Sequence, residues 1–515
     1  MPVENRIVKV QKRNRALVRF DVGRIRDAIL RAAESIGGFD RDQHPGINGK
    51  IFQSCGYDTA LGAPVSDPAG VGFPTPTRRI GDRRSSDAAI AEFLAESVAV
   101  CLNSNPHHLI SNFPPTIETI QDEVLHALRS YGFQHTADAY ACYRWCRHWL
   151  REGAITKEQF VGNGFPRERI AQMLEWNRAH GCESVAALND ITRRGELRRL
   201  VDASLARYES SLDVAARQLI SRLESGDRIR LMWISGPSSS GKTTTTVKLT
   251  ERLQQHGLEF LMLNLDDYFW PLVEHPTDWI NDRNYETPEA LDIQLLNSHL
   301  RTLLDGGTIE KPIYSFKDGR RAGSKPVKLG PNQILLLDCL HGLYPPITEG
   351  IPASAQFRVF IENLSAVYEG DGSGKRLVPF TDMRLMRRML RDAKHRNHSP
   401  LRTILHWHYV RAGELFSIIP LSGLADAVID GGFPFELALL KPFLSGPEGL
   451  LPDEKDFADY AGFVDARIRF NRIRTLLDSV DGVGLDAVNS TSLIPGDAVV
   501  REFIGGSTIQ IPHNE

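Results

Sequence analysis

The spacing of apolar residues changes period repeatedly along the chain, and each change marks an element. Ile7-Val8-Lys9-Val10 and Leu17-Val18-Arg19-Phe20 flank the basic stretch Gln11-Lys12-Arg13-Asn14-Arg15, which predicts a short hairpin with a basic turn. Asp21 then caps a helix carrying Ile25, Ala28, Ile29 and Ala32 at helical spacing. Residues 35–82, rich in Gly, Pro and Asp, hold no period and read as either a long ordered excursion or a mobile loop. A helical pattern returns from Ala88 to Leu102 and breaks at Asn105-Pro106 and Pro114-Pro115. Thr116 caps a further helix through Ile120, Val124, Leu125 and Leu128, although Thr119 cannot close the reciprocal box that Glu or Gln would. The helix from Thr136 to Leu150 interleaves Tyr140, Tyr143, Trp145 and Trp149 with Arg144 and Arg147, as expected of a packed helix with solvated arginines.

From Leu174 to Leu223 the signals are mainly helical, interrupted at His180-Gly181. Beyond them come apolar runs of strand length, Leu231-Met232-Trp233-Ile234, Leu258 to Leu265, Gln333 to Cys339 and Asp426 to Asp430, separated by helical stretches. Alternation of this kind predicts an α/β sheet with mostly parallel strands. Residues 463–480 read as one more helix, with Val464, Ile468, Ile473 and Leu477 facing protein. The divisions expected are 1–155, a helical connector 156–225, an α/β domain 226–450, and a C-terminal helical extension and tail 451–515.

Composition narrows the partners. Charged residues are 24% and the formal net charge is -3, so no general attraction to nucleic acid or an anionic membrane is expected. Arg193-Arg194 and Arg198-Arg199 are diluted by Glu196, Glu209 and Glu224 and read as a solvated face. The six cysteines show no CxxC pair; Cys142 and Cys146, four apart on a helix, lack further ligands nearby for a metal. With no apolar run of 18 residues and no signal pattern at the N-terminus, a cytoplasmic setting is expected.

The chemistry concentrates in Gly236-Pro237-Ser238-Ser239-Ser240-Gly241-Lys242-Thr243, between the strand at Leu231 and a helix running through Leu253. Backbone amides of such a loop and the unpaired N–H groups of the following helix wrap a polyphosphate; Gly236, Ser238, Ser239, Ser240, Gly241 and Thr244 join in that shell. Lys242 would reach the outer phosphates and the Thr243 hydroxyl would meet Mg²⁺. The next strand ends at Asp266-Asp267, where ligands of an open α/β sheet gather; Asp266 is expected as the base and Asp267 as a metal-linked or substrate-binding neighbour, and a helix-cap or loop role is the alternative. Asp338, ending another strand, suits the Mg²⁺ shell. Between them Glu286, Tyr314, Phe316 and Arg320 suit a planar acceptor, the alternative being a hairpin whose aromatics fill the local core. From Thr381 a basic helix carries Arg384, Arg387, Arg388 and Arg391; these either offset phosphoryl charge, as on a mobile lid, or are solvated.

The motifs Leu265-Asp266-Asp267-Tyr268-Phe269, Asn284-Tyr285-Glu286-Thr287-Pro288, Pro312-Ile313-Tyr314-Ser315-Phe316, Leu337-Asp338-Cys339-Leu340-His341-Gly342 and Thr381-Asp382-Met383-Arg384 through Asp392 resemble the uridine kinase and phosphoribulokinase family. The resemblance implies a P-loop kinase fold, Asp266 as base, Asp338 as the metal-orienting acid, Glu286, Tyr314 and Arg384 at the acceptor, and Arg387, Arg388 and Arg391 around the phosphates. Glu286 stands where typical uridine kinases carry Asp, Gly319 where they often carry a base-contacting His, and Asp338 where Glu is more usual. The tail segment Val500 to Ser507 is similar to the end of the same group.

The N-terminal stretch, through Val10 to Asn14, Val18 to Asp21, Arg24 to Ile29, Ile120 to Val124 and Ala139 to Arg144, resembles the ATP-cone, a regulatory nucleotide-binding domain. That likeness implies phosphate contacts from Lys12, Arg13 and Arg24. The fold class expected is therefore α/β: a P-loop kinase with a mostly parallel central sheet, plus an N-terminal α+β ATP-cone-like domain and a helical connector. The function expected is ATP- and Mg²⁺-dependent phosphorylation of a nucleoside 5′-hydroxyl by a homo-oligomer. The alternatives are a sugar, polyol or sugar-phosphate acceptor, or a non-enzymatic nucleotide sensor.

Overall fold

A computed structural model describes residues 7–36, 38–39, 87–104, 114–161, 166–275, 282–315, 318–374, 376–446, 449–460 and 463–510. Most of the 35–82 excursion, Asn105-Pro106 and Phe316 lie outside these residues. The chain forms two compact units, Met1–Arg144 with Pro452–Ile473, and Trp145–Leu451 with Arg474–Glu515.

In the first unit β1 (Lys9–Gln11) pairs antiparallel with β2 (Leu17–Arg19), as the alternation predicts, with Val10 opposite Val18. Arg15 takes a φ of 64° in the turn. The Asp21 carboxylate accepts from Gly23 N at 3.0 Å and starts the Val22–Ser35 helix. Thr116 Oγ1 likewise accepts from Thr119 N at 3.1 Å to start Ile117–Ser130. Ile25 and Ile29 meet Leu94 and Val98 of the Asp87–Ser104 helix, and Val124 and Leu128, in one apolar core. Cys142 and Cys146 are buried in the Gln134–Arg151 helix.

The second unit is built on a five-stranded sheet in the order β4-β7-β3-β8-β9, every pairing parallel. Its strands are β3 (Leu231–Ser235), β4 (Glu259–Asn264), β7 (Gln333–Cys339), β8 (Gln356–Glu362) and β9 (Ala427–Asp430). β3 is central and buried along its whole length, which its uninterrupted apolar run requires. Register aligns Ile234 with Asp338, Asn264 with Asp338, and Glu362 with Asp430, so polar strand ends share the carboxyl edge of the sheet. Trp233, Leu263, Leu335 and Leu337 pack there with Leu296 and Leu300 of the Ile293–Leu304 helix. β5 (Thr308–Ser315) and β6 (Arg320–Lys328) form a separate antiparallel hairpin.

The connector consists of helices Arg167–Ala179, Val185–Arg193 and Leu197–Glu224. The longest docks on the sheet: Arg207 Nη1 reaches Asp430 at 3.1 Å, Arg222 Nη1 reaches Asp426 at 3.0 Å, and Tyr208 OH lies 2.8 Å from Thr245 Oγ1. Arg193 pairs with Asp190 on the Val185–Arg193 helix, and Arg198 with Asp202 on the longest helix, all four side chains being exposed. The helix expected over 463–480 spans Val464–Asp478, and the short Arg501–Ile504 helix follows near the C-terminus.

Candidate active site

The turn after β3 is shaped by close backbone approach. A Cβ on Gly236 would sit 2.2 Å from the Ile361 carbonyl of β8, and one on Gly241, at φ 96°, would sit 2.5 Å from Val499 Cγ1. Ser239 also takes a positive φ of 58°. The chain then enters the Lys242–Gln255 helix, whose N-cap residue, Gly241, has no side chain to cap it. Lys242 folds back so that Nζ donates to Pro237 O at 3.1 Å. Burial lowers its pKa and the neighbouring Arg391 adds to this, against Asp338 and Glu502, which favour the charged form. Asp338 Oδ2 accepts from Thr246 Oγ1 at 3.3 Å, so the strand-end carboxylate faces the helix that follows the loop.

Beneath the loop, three arginines of the Phe380–His395 helix hold its backbone and a hydroxyl. Arg384 Nη1 donates to Ser238 O at 3.0 Å, Arg387 Nη1 to Ser239 O at 3.2 Å, and Arg388 Nη1 to Ser238 Oγ at 3.0 Å. Each also meets a buried carboxylate. Arg384 Nη2 is 2.8 Å from Glu414, Arg387 Nε 2.7 Å from Glu436, and Arg388 Nη1 2.6 Å from Glu286. These side chains are buried rather than solvated, and each buried guanidinium has the carboxylate pairing that burial requires. Arg384 is thus seated on the loop and Glu414, and Arg391 pairs with Asp392 at 3.1 Å.

The two adjacent aspartates diverge. They lie on the one-turn Leu265–Tyr268 helix that follows β4, where Asn264 Oδ1 accepts from Asp266 N at 3.0 Å. Asp266 is exposed beside the end of β7, and its charge acts on the Cys339 thiol, which burial first of all pushes up. Asp267 turns to the hairpin, accepting from Tyr314 N at 3.1 Å and pairing with Lys311. It therefore fixes the strand that carries Tyr314, whose ring lies 5.8 Å from that of Phe269. Arg320 is exposed at the start of β6, whereas its neighbour Arg321 donates to Asp292 Oδ2 at 3.1 Å.

Glu286 is the hub of a buried polar chain. His406 Nδ1 lies 2.6 Å from Asp282 Oδ2, and His406 Nε2 lies 3.6 Å from Glu286 Oε1. Burial by itself would raise the Glu286 pKa, but the charges of Arg388 and His406 outweigh it and hold the carboxyl well below the usual range. Through Arg388 this chain reaches Ser238 of the loop.

The C-terminal segment adds a carboxylate that the sequence did not announce. Glu502 Oε2 accepts from Thr244 Oγ1 at 2.9 Å and from Thr244 N at 3.3 Å, occupying donors expected to face a nucleotide. Glu414, Glu436, His406 and Asp282 were missed as well, since each lies far along the chain from the arginine or carboxylate it serves. In the first unit, Arg13 pairs with Glu118 and donates to Gln121 Oε1 at 3.0 Å, Arg24 lies 3.6 Å from Asp21, and Lys12 is exposed.

Residues 231–368 match the Phosphoribulokinase / Uridine kinase family. A uridine kinase of Deinococcus deserti is 30% identical over 207 residues, which make up 40% of this chain and 89% of that protein. The chain belongs to the phosphoribulokinase/uridine kinase family. A uridine kinase of Ligilactobacillus salivarius is 28% identical over 211 residues, 41% of this chain and 88% of that one. The solved D-glycerate 3-kinase of Cryptococcus neoformans is 15% identical, with a TM-score of 0.30 over 43% of this chain and 93% of its own. Membership of the phosphoribulokinase/uridine kinase family carries ATP-dependent phosphoryl transfer to a small molecule in general terms.

Proposed function

We propose that the second unit phosphorylates the 5′-hydroxyl of a nucleoside from ATP and Mg²⁺. The observation that carries this reading is the register: the loop of Lys242 leaves β3 beside Asp338 of β7, with the Asp266 turn leaving the adjacent β4. Asp266, exposed there, takes the proton of the attacking hydroxyl. Lys242, already oriented by Pro237, offsets charge on the transferring group. The Thr243 hydroxyl and Asp338 carboxylate are hard oxygen donors of the kind Mg²⁺ takes together with phosphates and water, and they would hold it. When bound, Mg²⁺ neutralises phosphate charge. Glu286 and Tyr314 shape the acceptor side. Arg384, Arg387 and Arg388 hold the loop, and with Arg391, whose charge acts on Lys242, they bring positive charge to the phosphate side.

A sugar, polyol or sugar phosphate is the second reading, and one observation favours it. At Gly319, with φ 62°, a Cβ would meet Leu272 Cβ at 2.6 Å, so no base-contacting side chain fits at that position. For the first unit we propose an ATP-cone-like regulatory role, with Lys12, Arg13 and Arg24 as phosphate contacts, and for the whole chain a cytoplasmic homo-oligomer. No helix among the described residues is long and apolar enough to cross a membrane.

The test is an acceptor screen with ATP and Mg²⁺, phosphorylated products being resolved by mass, for the native protein and Asp266→Asn. The variant is expected to lose roughly 10²- to 10⁴-fold in turnover with nucleotide affinity kept. Retained turnover rejects Asp266 as the base. Phosphorylated polyol with inert nucleosides moves the assignment to the second reading.

A further inference from the structure

One buried imidazole beside this site has a nitrogen that makes no hydrogen bond among the described residues. His341 lies just past β7, three residues after Asp338, and only 4% of it is exposed. Its Nδ1 is 3.0 Å from Ser417 Oγ, and that hydroxyl donates to Gly413 O at 3.0 Å. A serine hydroxyl has one hydrogen, so Ser417 either donates to Gly413 O and accepts from Nδ1–H, or donates to Nδ1. In both arrangements Nε2 makes no hydrogen bond among the described residues.

The charges around the ring fix where it sits. Burial lowers its pKa to about 4, the Glu286 charge and carbonyl oppose this, and Lys242 reinforces it. The imidazole thus lies within electrostatic reach of both the phosphate-side lysine and the acceptor-side glutamate. Gly413, whose oxygen anchors Ser417, packs so closely that a Cβ there would be 2.0 Å from Glu286 O. Ser417, His341 and Glu286 therefore share one wall.

We propose that His341 belongs to the acceptor pocket and that its Nε2 hydrogen-bonds a second hydroxyl of the acceptor, one that is not phosphorylated. A hydroxyl suits Nε2 in either tautomer, because it can donate to a lone pair or accept from an N–H. Sugars and polyols both carry such a group, so the assignment covers both acceptor classes above. A buried polar atom left without a partner is costly, which is why a pocket of this kind rejects a substrate lacking the matching group. The inference rests on reading this site as a kinase acceptor pocket.

The experiment compares the native protein, His341→Leu and His341→Gln on the best acceptor from the screen and on its monodeoxy analogues. One analogue is expected to lose roughly tenfold to hundredfold in kcat/KM with the native protein. His341→Leu should lose a similar factor on the parent acceptor, no longer distinguish it from that analogue, and keep its KM for ATP. His341→Gln, whose amide can accept or donate, should recover part of the loss. If His341→Leu discriminates every deoxy analogue as the native protein does, the hydroxyl is bound elsewhere and the proposal falls. Should the leucine variant not fold, nitrogen NMR of labelled histidine in the native protein decides. Acceptor binding must shift the Nε2 resonance, and an unmoved resonance with saturating acceptor overturns the assignment. Absence of acceptor-dependent turnover in the native protein would instead remove the kinase reading, a result seen before any variant is made.

Discussion

Arg388 shows how much one residue is asked to do. It meets Glu286 at 2.6 Å, Asp392 at 3.1 Å and the Ser238 hydroxyl at 3.0 Å, with the Trp407 ring 6.0 Å away. Removing one member of such a buried pair leaves an uncompensated charge, so Glu286→Ala should destabilise the second unit by about 3–5 kcal/mol in denaturant unfolding. The sign of the pH dependence follows from the depressed Glu286 pKa. Its stabilisation is full above its unfolded value of 4.5 and is lost as pH falls toward the folded value, so Glu286→Ala should flatten the acid limb of stability. The helical spacing of the arginines was legible in the sequence. Their carboxylates were not: Glu286 is 102 positions from Arg388, and Glu436 is 49 from Arg387. Helix spacing alone therefore could not separate a solvated face from an interior made by tertiary pairing.

At the scale of elements, strand, loop and helix around Lys242 could be read because every cue is local: an apolar run, bounding glycines and a helical start. β8 escaped because Gln356, Arg358 and Glu362 interrupt its apolar run. Those polar groups are satisfied from elsewhere. Trp233 Nε1 donates to Gln356 Oε1 at 3.1 Å, and Arg169 meets Glu362 at 2.8 Å. β8 nonetheless sets the shape of the loop, since its Ile361 carbonyl fills the space a side chain at 236 would need. Gly236→Ala pushes carbon against backbone that cannot rotate away, and an overpacking cost of about 1–3 kcal/mol is expected. Thermal melting should show that loss, and nucleotide titration should show weaker binding, because the same displacement opens the loop. The Asp267 result belongs here too. Adjacent carboxylates at a strand end look equivalent in sequence, but a one-turn helix sends one to solvent and the other to the Tyr314 hairpin.

The whole second unit is closed by its last residues. Phe503 is buried and lies 4.8 Å from the Arg387 guanidinium, while Arg387 holds Ser239 of the loop. Phe503→Ala should therefore cost about 3–5 kcal/mol in unfolding and also raise the nucleotide dissociation constant, although no atom of Phe503 is expected to touch nucleotide. Calorimetry and nucleotide titration on the same preparation check both halves. A likeness of the tail to one kinase group was visible in Val500 to Ser507, but its docking partner was not, because that contact has no sequence period.

The bond from Glu502 to Thr244 joins residues 258 positions apart. Ribosomes lay down the chain in one direction, so the phosphate loop emerges long before the carboxylate that covers its helix. The loop can take its shape only once β8 and the arginine helix have been made, and the carboxylate arrives later still, so the shielding of Thr244 is among the last contacts this unit can form.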